Sequence, residues 1–260
     1  MSGCSLNTAK KHYVLAEELW QEGNYQAAVA EFDKVTAKDP RGRLGQQALF
    51  RAATTEALFL SQYPEALKKF KTFAESSPDA SAVWEAQKEI GELLFSKMEQ
   101  YDRAATHYRS LIQQKPTASE VPEFLFRVGK SEFFRWHFDD AIKTYEELHG
   151  RFGQTLAGEK ALFEVGVCQF TRGEQNVGGR GPGMDTYRDA IEAYERFIKT
   201  YPKSALVSQA RFGIASALEE LDQIDAAYQD YEALKDSYPD RNVIEIKLAR
   251  IRDRKAQRSH

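Results

Sequence analysis

The feature that most constrains this chain is a period. Prolines stand at 40, 78, 116, 202 and 239, with intervals of 38, 38, 86 and 37 residues. Gly153 supplies the missing stop and divides the long interval into 37 and 49, the latter being one period with twelve residues inserted. Inside every period a small residue is followed four positions later by a ring: Ala28/Phe32, Ala66/Phe70, Ala104/Tyr108, Ala141/Tyr145, Ala190/Tyr194 and Ala227/Tyr231. Four residues is just over one helical turn, so both members of a pair share one face. The alanine admits a neighbouring helix and the ring fills the space beside that contact. Tyr25, Tyr63, Tyr101, Phe138, Tyr187 and Ile224, three residues before each alanine, open the helices.

A second amphipathic stretch precedes each of these helices: Tyr13–Trp20, Ala48–Leu60, Ala86–Phe95, Glu123–Phe134, Glu159–Phe170 and Gln209–Leu221. Connections as short as Gln21-Glu22-Gly23-Asn24 force the two helices of a pair to lie antiparallel. Neither helix can bury its apolar stripe alone, so successive pairs must stack over a shared core. Repeat three carries one extra residue, expected in its turn around Lys97-Met98. After Pro239, residues 241–260 read as a capping helix and basic tail, the helix over Asn242–Gln257 with Ile244, Leu248 and Ile251 on its apolar edge. Its basic residues, among them Arg250, Arg252, Arg254, Lys255 and Arg258, either form the polar outer face of a cap or meet an anionic partner.

In repeat one, Leu15, Ala16, Leu19, Ala28, Phe32 and Pro40 match the tetratricopeptide consensus; in repeat four, Leu125, Val128, Gly129, Ala141 and Tyr145 do so. The chain resembles that family over nearly its whole length. The resemblance implies an all-α fold, a right-handed α-solenoid of about six tetratricopeptide-like helix-turn-helix repeats over 9–240, closed by a C-terminal capping helix. It also implies a non-catalytic role in binding other proteins.

Nothing in the sequence argues against that role. No GxSxG elbow, GxxxxGK[ST] loop, HExxH motif or zinc-finger cysteine spacing is present, so no catalytic residue, metal ligand or cofactor is expected. A net charge of −3 gives no general reason to expect nucleic acid. No run of 18 apolar residues exists to span a bilayer. Cys168 lies in an apolar run and reads as a small buried hydrophobe.

In stacked pairs of this type the first helix lines the concave groove. Its fifth position is Arg51, Phe126, Phe163 and Phe212 in repeats two, four, five and six, with Thr55, Arg127, Lys130, Phe133 and Phe170 nearby. Rings beside Arg127 and Lys130 would suit an extended segment carrying acidic and apolar groups; alternatively the rings only seal contacts between first helices. The insertion, residues 173–185, is either a flexible loop or a contact element that presents Arg180 and Met184.

The chain starts Met1-Ser2-Gly3-Cys4-Ser5, and small residues directly before a cysteine resemble the end of a bacterial lipobox. Residues 1–8 then read as a tether, with Cys4 as the lipidated residue and the signal segment upstream. Together with Tyr201-Pro202 and Tyr238-Pro239, each closing an aromatic-rich second helix, this resembles the periplasmic tetratricopeptide lipoproteins of Gram-negative bacteria, of the BamD type or the Tol-Pal-associated YbgF type. The insertion stands in the fifth of six repeats here and in the third of five in the BamD type. The resemblance implies a lipid-anchored subunit at the periplasmic face of the outer membrane, with envelope-complex proteins as partners. The other reading is a soluble cytosolic adaptor or co-chaperone holding peptides in its groove.

Overall fold

A computed structural model describes residues 3–175 and 183–258. The chain divides into two compact units, Met1–His107 and Tyr108–His260. The helices are α1 (Gly3–Gln21), α2 (Tyr25–Lys38), α3 (Arg43–Leu58), α4 (Tyr63–Ser76), α5 (Ala80–Glu92), α6 (Tyr101–Gln114), α7 (Val121–Phe134), α8 (Phe138–Phe152), α9 (Leu156–Gln175), α10 (Gly183–Thr200), α11 (Val207–Glu220), α12 (Ile224–Leu234) and α13 (Arg241–Arg258). They form six helix-turn-helix pairs and a final helix, with no strand among the described residues.

The alanine–ring periodicity is the packing code. All six alanines are fully buried, and Phe32, Phe70, Tyr108, Tyr145, Tyr194 and Tyr231 are buried with them. In unit 1, Ala9, Ala16, Ala28, Phe32, Val35, Ala48 and Ala52 of α1–α3 form one cluster. In unit 2, Tyr145 and Leu148 of α8 pack against Val121 and Leu125 of α7 and Ala161 and Val165 of α9. The close approach is literal at Gly129 of α7: a Cβ there would lie 2.4 Å from the Tyr145 ring.

One turn is repeated along the chain. Gly23, Ser61, Glu99, Trp136 and Asp222 all have positive φ, between 52° and 80°, and each stands two residues ahead of the next helix. The amide that follows each reaches back to a carbonyl of the finished helix, as in Asn24 N–H to Leu19 O (2.8 Å) and His137 N–H to Glu132 O (2.9 Å). This is the closure usually made by glycine, and of these five turns only the first uses one.

Three boundaries differ from the sequence reading. The extra residue of repeat three is absorbed inside the first helix, as a π-helical turn at Leu93–Lys97, rather than in the loop. A π-turn takes in one residue while keeping Leu93, Leu94 and Phe95 buried. Residues 173–175 and 183–185 of the expected insertion loop are helical ends of α9 and α10, and 176–182, with Arg180, lie outside the described residues. At the N-terminus, α1 already starts at Gly3, because nothing between Ser5 and Lys10 breaks a helix. The side chain of Cys4 lies outside the described residues.

The last helix is held as a cap. Ile244, Leu248 and Ile251 are buried against Ile224, Ala227, Tyr231 and Leu234. Its basic residues are engaged by the preceding repeat: Lys247, Arg250 and Arg254 meet Glu219, Arg254 also Asp222, and Lys255 meets Asp225. Arg252 lies against the Tyr228 hydroxyl.

Candidate protein-interaction site

The first-helix residues expected in the groove fall into two groups. In unit 2 the rings are half-buried, and each leans on a second helix. Phe126 lies 5.8 Å from Tyr145, Phe163 5.6 Å from Tyr194, Phe170 5.5 Å from Tyr187 and Phe133 5.7 Å from Phe138. Phe212 lies 5.5 Å from Tyr231 and stacks on Tyr238 at 4.8 Å. These contacts run to second helices and not, as the alternative reading had it, between first helices. Lys130 is bound to Glu164 (2.7 Å) and Arg127 to Glu123 (3.3 Å), so neither cation is idle. Thr55 must be corrected: it is 1% exposed and donates to Arg51 O at 2.7 Å, facing the core where no partner reaches. Met184 is exposed near the start of α10.

A set of buried glutamates carries no motif or spacing in the sequence that would mark it. Glu56, Glu132, Glu164 and Glu219 all lie on first helices and are almost wholly covered. Each is matched by a cation from a neighbouring helix. Glu56 takes Lys69 (2.5 Å), Glu132 takes Arg109 (2.6 Å) as well as Arg135 of its own pair (2.9 Å), Glu164 takes Lys130, and Glu219 takes three cations of α13. Burial pushes the Glu56 carboxyl above the ordinary glutamate value, and a single lysine does not reverse this. Burial also acts on Glu219, but Arg250 and Lys247 hold it below the ordinary value. Among the described residues, Glu132, His137 and Asp140 bring potential metal ligands within 4.8 Å of one another. Two guanidiniums already occupy Glu132, which makes this an ion-pair network a metal would have to break.

An open concavity lies in unit 1. A depression of about 740 Å³ is lined by Tyr13 of α1, Arg41, then Arg43, Gln46, Gln47, Phe50 and Arg51 of α3, Phe73 of α4, residues 77–79, and Ala82 and Glu85 of α5. Its floor is aromatic: Phe50 packs edge-on against Phe70 (5.3 Å) and Phe73 (5.2 Å) and is itself half-buried. Arg51 is fixed in place, donating to both oxygens of Glu17 (3.1 and 2.8 Å) with its guanidinium 4.6 Å over the Trp20 ring. Both acids of the lining are engaged, Asp79 in capping α5 and Glu85 with Lys88 (2.8 Å). Arg41 and Arg43 are exposed and make no ion pair or side-chain hydrogen bond among the described residues. The arrangement offers an apolar seat with unspent positive charge at its rim. Of its residues only Arg51 was signalled by position in the repeat.

Paired helices and buried small-residue seams define a class: an α-helical repeat protein. Two family models, each described as tetratricopeptide repeat, match residues 51–119 with 185–242 and residues 160–204; together they span more than half of the sequence, and the chain belongs to the tetratricopeptide-repeat family. Such proteins are generally protein-interaction scaffolds. Among solved structures, the C-terminal part of a repeat protein from Cytophaga hutchinsonii is similar at 18% identity, over 86% of this chain and 78% of that one, with a TM-score of 0.58. PilW, a type IV pilus biogenesis factor, is similar at 17% identity over 89% and 94%, TM-score 0.51. YrrB, described as having an unusual peptide-binding site, is similar at 16% over 77% and 90%, TM-score 0.50. At these identities the likeness is one of fold. No curated protein matches significantly.

Proposed function

We propose that this protein is a non-catalytic scaffold that holds an extended segment of a partner protein in the unit 1 depression. The observation that carries this is the aromatic floor of Tyr13, Phe50 and Phe73 beside two arginines, Arg41 and Arg43, that make no ion pair among the described residues. An apolar side chain seated on the floor with an acidic group toward Arg43 would use both features. A binding screen of labelled acidic-aromatic peptides against basic and scrambled controls tests it. The acidic-aromatic set should bind, and Phe50→Ala or Arg43→Glu should each weaken binding about tenfold or more. Indifference to both substitutions contradicts the reading.

The same proposal places the scaffold as a lipid-anchored periplasmic subunit of an outer-membrane assembly or secretion complex. Support comes from Ser2-Gly3-Cys4 and, at the level of fold, from the similarity to a pilus biogenesis factor. Protein made in its host with its native leader should partition with membranes and carry acyl chains on Cys4, while Cys4→Ser should release it. Unmodified, soluble wild-type protein would replace the anchored scaffold by a soluble adaptor.

A further inference from the structure

The edge of unit 1 where α1 begins and α2 ends carries a concentration of positive charge that the fold does not use. Lys10 and Lys11 of α1, Lys38 at the end of α2, and Arg41 are exposed and make no ion pair or side-chain hydrogen bond among the described residues. Lys10 shares a second depression, of about 430 Å³, with Asp39, Gly42, Arg43, Leu44 and Gln47, which shows that the two segments lie together. Residues 3–16 contain no acid, and residues 34–55 contain only Asp39. Asp39 is the one acid lining that depression; of the other acids of α1 and α2, Glu17 pairs with Arg51, Glu31 with His12 and Lys34, and Asp33 with Lys69. The chain as a whole is negative, at −3, so this edge opposes the field of its own molecule.

We infer that this edge docks on the anionic headgroups of a lipid surface and sets how the protein stands on it. The inference deepens the anchored reading above. Cys4 belongs to the same helix, and Lys10 stands six positions further on, about 9 Å along the axis. A lipid on Cys4 would therefore bring Lys10 and Lys11 to headgroup depth, where each cation adds to binding. The unit 1 depression, whose lining includes Arg41 and Arg43, would then open next to the membrane surface.

The test uses the full chain with Cys4→Ser, so that no anchor contributes. Its sedimentation with phosphatidylcholine vesicles is compared with that on the same vesicles containing phosphatidylglycerol. Anionic vesicles should bind about tenfold more strongly or better, with the preference lost in high salt. Lys10→Glu, Lys11→Glu and Lys38→Glu together should abolish the preference while leaving peptide binding in the depression intact. Lys68→Glu with Lys71→Glu on α4 should leave it unchanged. Equal binding to both vesicles, equal loss in the α4 variant, or binding to polyglutamate without binding to anionic vesicles would each overturn the inference. Because acylation is read separately in the host, failure of the anchor and failure of the edge give different results.

Discussion

Tyr145 shows how much one side chain carries in this fold. Its ring is fully buried between α7 and α9, so Tyr145→Ala should destabilise unit 2 by about 3–5 kcal/mol in denaturant unfolding. Glu147, two residues on, is exposed and among the described residues pairs with Arg151 alone, so Glu147→Ala should cost less than about 0.5 kcal/mol. Equal effects at the two positions would mean the α8 face is misassigned. Gly129→Ala places a methyl 2.4 Å from the same ring and should cost about 1–3 kcal/mol, since neither helix can retreat without opening the seam. Glu99→Gly, at an exposed left-handed turn position, should instead stabilise by about 0.5–1 kcal/mol. The buried rings and alanines were legible because burial on a helix imposes its period on the sequence. The left-handed turn residues were not, because serine, glutamate, tryptophan and aspartate carry no glycine signal. The buried glutamates were not legible either, since each becomes tolerable only through a cation supplied by another helix.

At the level of the element, α13 was legible as a cap from Ile244, Leu248 and Ile251, but its basic run left two readings open. The ion pairs to Glu219, Asp222 and Asp225 favour the cap. Glu219 therefore links the docking of α13 to pH. Its folded pKa lies below its unfolded value, so its contribution is complete above the ordinary glutamate pKa and is lost as pH falls through the folded value. Glu219→Gln should lower stability at neutral pH by about 2 kcal/mol, flatten the acid side of the stability curve and speed amide exchange in α13. Glu56 carries the opposite sign. Its folded pKa is raised, so its charge opposes folding at neutral pH and protonation relieves it. Glu56→Gln should be neutral or stabilising at pH 7 and should lose that advantage below the ordinary glutamate range. Equal pH profiles for the two variants would contradict these opposite signs. The π-turn of repeat three was invisible for another reason: a single extra residue can be absorbed in a loop or in a helix, and only the packing of Leu93–Phe95 decides.

For the whole molecule, repeat periodicity gave away the fold far more readily than the site. Stacked pairs need a regular sequence, whereas a binding surface needs only that a few residues escape the regular pattern. Arg51 did so visibly; Tyr13 and Phe50 look like core residues on paper and emerge as pocket lining only once α1, α3 and α4 are placed together. The Phe126, Phe163 and Phe212 rings, which looked like groove residues, lean instead on their second helices. The central claim is that a partner's segment is held in the unit 1 depression. A photo-crosslinking residue at Gln47, exposed on its lip, compared with one at Met184 and one at Lys160 in unit 2, tests this most directly when introduced in the native host. The account predicts a discrete protein adduct from position 47 that disappears with Phe50→Ala or Arg43→Glu. Adducts from position 184 or 160 with none from 47, or an adduct at 47 indifferent to both substitutions, would contradict it.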